Sequence, residues 1–259
     1  MEGSILASTL RRDRWVVVGS LSAVVAVSWL YLLWGAGMDM QAMSDMATPM
    51  TPRPWSLGYS ALIAAMWLVM MAAMMLPSAA PAILLYDTIA RQRGLQASIV
   101  PQAGFFTLGY LIVWAAAGLL GAVLQWILDK ALLMSPHMAT TSVAVAGSTL
   151  IAAGLYQWTP LKQACLRQCR SPFDFLLGNW REGPRGAVTM GVRHGLFCLG
   201  CCWMLMLLLF VGGVMNIFWV ASLTLFILAE KLVPVGRRLS QVAGAVLIVW
   251  GGAVLVSAI

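Results

Sequence analysis

The sequence predicts an all-α membrane protein: a polytopic bundle of about seven transmembrane helices that forms one domain over residues 1–259. Hydrophobic residues make up 61% of the chain and charged residues only 10%, whereas soluble domains carry roughly 25% charged residues. The apolar runs are about 18–25 residues long, which is typical of spanning helices and not of barrel strands. The basic residues stand between these runs, a pattern that indicates membrane orientation and argues against nucleic-acid binding.

The predicted spans follow from the apolar runs and the breaks between them. They cover about residues 15–34, 57–76, 103–128, 139–158, 187–214, 218–232 and 241–256. The first run follows an arginine-rich segment and ends without a small-residue cleavage site, so we expect a retained span and no signal peptide. Residues 160–185 are the densest basic segment and are predicted to be a cytoplasmic loop. The N-terminus is then cytoplasmic, the C-terminus and a methionine-rich loop at 35–56 are extracytoplasmic, and the expected location is the bacterial inner membrane.

One face of the fifth span carries the strongest functional signal. At 100° per residue, His194, Cys198, Cys201 and Cys202 share a face roughly 100° wide. Thiolate and imidazole are soft metal ligands, and polar side chains inside a membrane span are usually functional. We therefore expect a metal site or a redox pair here, although a single buried cysteine also serves as a small hydrophobe.

Methionines form two further groups of soft donors. The second span carries Met66, Met70, Met71 and Met74. The outer loop carries Met38, Met40, Met43, Met46 and Met50. Thioethers select Cu(I) over hard cations, so the loop is predicted to capture copper. The methionines within the span are explained equally well by packing.

Candidate ligands also stand on the predicted inner side. Cys165 and Cys169 are four residues apart in the basic segment, so they would share a face of a helix. We expect the flanking arginines to lower the pKa of both thiols. Glu230 stands beside Lys231 near the inner end of the sixth span. It is either a hard ligand or proton acceptor, or the partner of a lysine that extends to the membrane surface.

Four segments together resemble a bacterial family of uncharacterised, predicted metal-binding integral membrane proteins. They are MMAAMMLP at Met70–Pro77, YQWTPLKQACLRQC at Tyr156–Cys169, CLGCCW at Cys198–Trp203, and Glu230 with Lys231. The resemblance extends from the second span to the seventh. It implies a helical membrane fold that binds a metal and acts with a small soluble partner.

These donors predict an inner-membrane protein that binds Cu(I) and either transports it or delivers it to a cuproprotein under assembly. Zinc also fits a site of cysteines with His194. The expected partners are the lipid bilayer and either a small soluble metallochaperone or a membrane cuproenzyme complex. Enzymatic activity stays open and is not favoured. ATP-driven pumping by this chain alone is not expected, because the sequence shows no nucleotide-binding loop, phosphorylatable aspartate motif or soluble catalytic domain. Two alternatives remain: a membrane thiol–disulfide oxidoreductase that uses Cys201 and Cys202, and an accessory subunit of a larger membrane complex with no metal of its own.

Overall fold

The computed structural model describes residues 2–37, 55–93, 102–135, 138–178 and 180–257. In chain order the helices are α1 (Glu2–Leu33), α2 (Leu57–Gln92), α3 (Gln102–Lys130), α4 (Val143–Tyr156), α5 (Pro160–Arg170), α6 (Pro172–Gly178), α7 (Gly183–Leu207), α8 (Leu209–Gly212), α9 (Ile217–Leu232) and α10 (Gly236–Val256). A short 3₁₀ turn, Gly35–Gly37, follows α1. Within these described ranges no β-strand forms, so the predicted all-α class is confirmed.

Five helical segments are long and apolar enough to cross a membrane, which indicates a membrane protein. They are Trp15–Leu33, Leu57–Gln92, Gln102–Lys130, Gly183–Gly212 and Gly236–Val256. Apolar side chains on the outer face of α10, such as Val242, Val246 and Val249, are exposed, as lipid contact requires. The other two predicted spans coincide with α4 and α9, which have only 14 and 16 residues. The number of spans and the orientation of the termini therefore stay predictions.

Helix α2 does not end where the sequence indicated. We expected the second span to stop near residue 76, before Pro77 and Pro81, but the helix runs through both prolines to Gln92. A proline removes one backbone donor and leaves the carbonyl four residues earlier without its helical partner. The carbonyl freed by Pro77 is that of Ala73, and it accepts a hydrogen bond from the indole nitrogen of Trp29 at 3.2 Å. A side chain of α1 thus replaces the missing bond, as in other buried membrane helices that contain proline.

Helix α7 lies against α3 at a crossing where glycines let the two backbones touch. A Cβ on Gly109 would overlap the carbonyl oxygen of Val188, and a Cβ on Gly191 would overlap that of Phe106. Small residues at such crossings are the usual means of close helix packing in membranes. This contact fixes α7 against α3 about two turns before Cys198.

The predicted basic loop at 160–185 is largely helical and packs against the bundle. Thr159 caps α5 by accepting a hydrogen bond from the backbone nitrogen of Lys162 at 3.3 Å, and Pro160 occupies the first turn. Lys162 and Leu166 are buried, and α5 packs along α7. The segment predicted as a loop therefore brings side chains to the interior.

Candidate thiol-rich metal site

The three cysteines of α7 lie together in the interior. Cys198, Cys201 and Cys202 are all buried, and the thiols of Cys201 and Cys202 each donate to the carbonyl oxygen of Cys198 at 3.0 Å. The helical spacing that put them on one face in the sequence also directs them inward, because the opposite face, which carries Leu196 and Trp203, is exposed. Their sulfur atoms are therefore held within one turn of helix, away from lipid.

A fourth cysteine joins this group from α5. The thiol of Cys169 interacts with the side chains of Cys198 and Cys201. We refer to Cys169, Cys198, Cys201 and Cys202 as the thiol cluster. All five cysteines of the chain are free thiols. The fifth, Cys165, lies one turn from Cys169 and approaches α7 at Gly200, where a Cβ would come within 2.7 Å of its sulfur.

The prediction that flanking arginines lower the pKa of the α5 thiols is wrong. Interactions with the thiols of Cys198 and Cys201, together with burial, raise the pKa of Cys169 well above its ordinary value. Burial and the neighbouring Cys201 also raise the pKa of Cys165. The thiols of α5 face α7 and its cysteines, so the packing of the helix outweighs the arginines beside them in sequence.

A buried lysine and a buried tyrosine contact the sulfur of Cys198. The ammonium of Lys231, at the end of α9, donates to the Cys198 sulfur at 2.9 Å and to the hydroxyl of Ser78 at 2.8 Å. The hydroxyl of Tyr110 lies 3.1 Å from the same sulfur and 3.1 Å from the carbonyl oxygen of Met75. Residues of α2, α3, α5 and α9 thus meet α7 around Cys198.

Glu230, the neighbour of Lys231, takes part in a separate ion pair. Both of its carboxylate oxygens accept from the ammonium of Lys162, at 2.8 and 2.9 Å, and Ser240 donates to one of them at 2.6 Å. Gln157 also accepts from Lys162. The side chains of Lys162 and Glu230 are 0% and 1% exposed. Their charges therefore balance each other in the interior, and the structure does not bring Glu230 into contact with the thiol cluster.

His194, one turn before Cys198, lies among aromatic rings. Its ring centre is 5.8 Å from those of Phe106 and Tyr110 and 5.3 Å from that of Phe175. The residue is buried, and its Nδ1 atom has no hydrogen-bond partner among the residues that the structure describes. A buried ring nitrogen without a partner is unfavourable unless a ligand or water satisfies it. His194 therefore remains a candidate ligand, one helical turn before Cys198.

The methionines of α2 are buried but face different neighbours. The four methionines of the second-span group, Met66, Met70, Met71 and Met74, are at most 2% exposed, as is their neighbour Met75. Met71 lines an apolar cavity of about 420 Å³ that also includes Gly200 of α7. Met70 lines a small cavity on another side of α2, with Leu32 and Met215. The predicted outer capture residues, Met38, Met40, Met43, Met46 and Met50, lie outside the described residues.

Sequence reasoning missed Lys231, Tyr110 and Ser78 as neighbours of the thiols. One of the two interpretations left open by the sequence has Lys231 extending to the membrane surface, but its ammonium is directed into the bundle and is buried. The only signal available was its position inside an apolar run, since a charge there usually marks a function. No pattern local to α3 or α2 distinguishes Tyr110 or Ser78 from other residues of a packed helix.

The donors of the thiol cluster fit a soft, low-coordinate ion. The cluster brings together four thiols from two helices, and thiolates select Cu(I) and Zn(II). Within the described ranges, no three His, Cys, Asp or Glu side chains are already arranged around a common ion position. Binding an ion at these thiols would replace the contacts of Cys201 and Cys202 with the Cys198 carbonyl, in which S–H is only a weak donor.

The comparisons with known proteins give one family. Residues 64–254 match the PpoB2 family, which is described as copper chaperones. No curated protein and no solved structure matches the chain. The matched range includes α3 to α9 entirely, most of α2 and nearly all of α10, and with them the thiol cluster, Lys231 and His194. The chain therefore belongs to the PpoB2 family of copper chaperones, and its role is related to copper.

Proposed function

We propose that this protein binds Cu(I) at the thiol cluster, within the inner membrane, and delivers it to a cuproprotein under assembly. Copper is cargo in this proposal: it is received, held and released. Cys198, Cys201 and Cys202 supply sulfur from α7, and Cys169 supplies a fourth from α5. The proximity of Cys169 to Cys198 and Cys201 is the observation that carries the proposal, because it joins two helices at one soft-donor site.

The kind of donor supports copper as cargo. Cu(I) is stable with two or three thiolates, so four thiols allow it to move between overlapping sets of ligands without leaving sulfur. Each intermediate set must hold the ion loosely enough to release it to the next. The methionines of the predicted outer loop would supply the ion, and the methionines of α2 would receive it.

Metal content of the purified full chain tests the proposal directly. The protein in detergent is loaded anaerobically with Cu(I), freed of excess copper, and compared with the Cys198→Ser and Cys169→Ser variants. Cys165→Ser is the matched control, since it removes the one cysteine outside the thiol cluster. We expect the native protein and Cys165→Ser to retain copper, Cys198→Ser to lose it, and Cys169→Ser to bind it more weakly. X-ray absorption of the native complex should show sulfur as the main scatterer.

Two other results would overturn the proposal in favour of its rivals. A protein that is isolated with a disulfide between Cys201 or Cys202 and another cysteine, and that exchanges it with added thiols without retaining copper, would be a thiol–disulfide oxidoreductase. A folded protein that retains no copper and forms no disulfide would instead be an accessory subunit, and its function would lie with the proteins that co-purify with it.

A further inference from the structure

The buried ammonium of Lys231 has no carboxylate partner among the residues that the structure describes. The described residues form ion pairs between Arg91 and Asp87 and between Lys162 and Glu230, whereas the ammonium of Lys231 donates to the Ser78 hydroxyl and the Cys198 sulfur. A buried charge is strongly unfavourable unless a partner of opposite charge balances it. The adjacent carboxylate, Glu230, is already balanced by Lys162. Within the described part of the chain, the sulfur of Cys198 is therefore the group in contact with Lys231 that can carry the opposite charge.

We infer that Lys231 is a specificity-determining residue, whose fixed positive charge favours a monovalent over a divalent metal ion at the thiol cluster. This inference rests on the proposed function. Cu(I) bound by two thiolates carries a net charge of −1, and the ammonium 2.9 Å from the Cys198 sulfur brings the site to zero. Zn(II) bound by the same two thiolates is already neutral, so the same ammonium leaves the site with an uncompensated charge of +1.

The buried environment gives this difference in charge a large effect on affinity. Lys231 is 5% exposed, and Cys198, Cys201 and Cys202 are at most 1% exposed, so water screens the charges weakly. For any given number of thiolates, the zinc complex carries one more positive charge than the copper complex. The ratio of the two affinities therefore reports the interaction of Lys231 with one unit charge. At a separation of a few ångströms and an effective dielectric constant near 20, that interaction changes the ratio by about 100-fold or more.

The test compares affinities for Cu(I) and Zn(II) in the full chain and in charge variants of Lys231. Lys231→Leu removes the charge without adding a metal ligand, whereas methionine would introduce a thioether. Lys231→Arg keeps the charge. Lys130→Leu is the matched control, because Lys130 is exposed at the end of α3. Affinities are measured anaerobically by competition with chromophoric chelators at fixed pH, and X-ray absorption gives the number of sulfur ligands for each ion.

We expect Lys231→Leu to shift the Cu(I)/Zn(II) affinity ratio towards zinc by about 100-fold, and Lys231→Arg and Lys130→Leu to stay near the native ratio. An unchanged ratio in Lys231→Leu, with copper still bound through Cys198, would overturn the inference and leave the proposed function intact. If the native protein binds no copper, the proposed function itself fails. If Lys231→Leu does not fold, the Lys231→Arg variant is the test. A Cu(I)/Zn(II) affinity ratio shifted towards zinc in that variant, despite the retained charge, would refute the role of charge.

Discussion

Replacing Glu230 with Gln removes the carboxylate that balances Lys162 in the interior of the bundle. Glu230 accepts two hydrogen bonds from Lys162, at 2.8 and 2.9 Å, and one from Ser240 at 2.6 Å. Both members of the ion pair are almost fully buried, so solvent screening does not reduce the loss. Removing one partner of a buried ion pair costs about 3–5 kcal/mol, because the other charge is left uncompensated. We expect the free energy of unfolding to fall by about this amount.

The assay is equilibrium unfolding of the purified protein in mixed detergent micelles. The double variant Lys162→Met/Glu230→Gln removes both charges and should recover at least about half of the loss, since an uncharged pair of similar size is tolerated far better than a lone charge. Asp174→Asn is the control, because that carboxylate is exposed. A loss below about 1 kcal/mol for Glu230→Gln would refute the reasoning. Copper retained by the folded Glu230→Gln protein would also argue against Glu230 as a metal ligand.

Three further predictions concern helix packing and the α5 thiols. Gly191→Ala should destabilise the protein by about 1–3 kcal/mol, because the added Cβ meets the α3 backbone. Gly252→Ala is the control and should not destabilise it, since a Cβ there meets nothing within 4 Å. Equal unfolding curves for the two variants would contradict the close packing of α7 against α3. Trp29→Phe should lower the free energy of unfolding by about 1–3 kcal/mol, because the carbonyl of Ala73 then loses its hydrogen-bond donor. Trp15→Phe, on the exposed face of α1, should lower it little in the same assay. Cys165 should react with maleimide more slowly than a free model thiol at neutral pH, because its raised pKa leaves less thiolate, and the reaction should become faster as the pH rises. Mass spectrometry gives the rate of labelling. Labelling as fast as that of the model thiol would count against the raised pKa.

Periodicity within a helix made the cysteine face predictable. Four residues of α7 share a face at helical spacing, and the structure buries all four of them. The same reasoning indicated that Cys165 and Cys169 share a face if that segment is helical, as it is in α5. Such inferences need only the geometry of one helix, which the sequence determines locally.

Features that depend on two helices were not predictable. The path of α2 through Pro77 depends on the indole of Trp29, which is 44 residues earlier in the chain. The partner of Glu230 is Lys162, 68 residues away, and not the adjacent Lys231. Charge and composition show that such groups need partners, but only the packing of the helices determines which partner each one has.

The end of α9 separates two neighbouring charges and gives them different partners. Glu230 and Lys231 are consecutive, so their side chains leave the helix about 100° apart and cannot both face the same neighbour. Glu230 faces Lys162 of α5, and Lys231 faces Cys198 of α7. The end of α9 therefore keeps its two charges apart: the carboxylate of Glu230 is balanced by Lys162, and the ammonium of Lys231 is directed to the sulfur of Cys198.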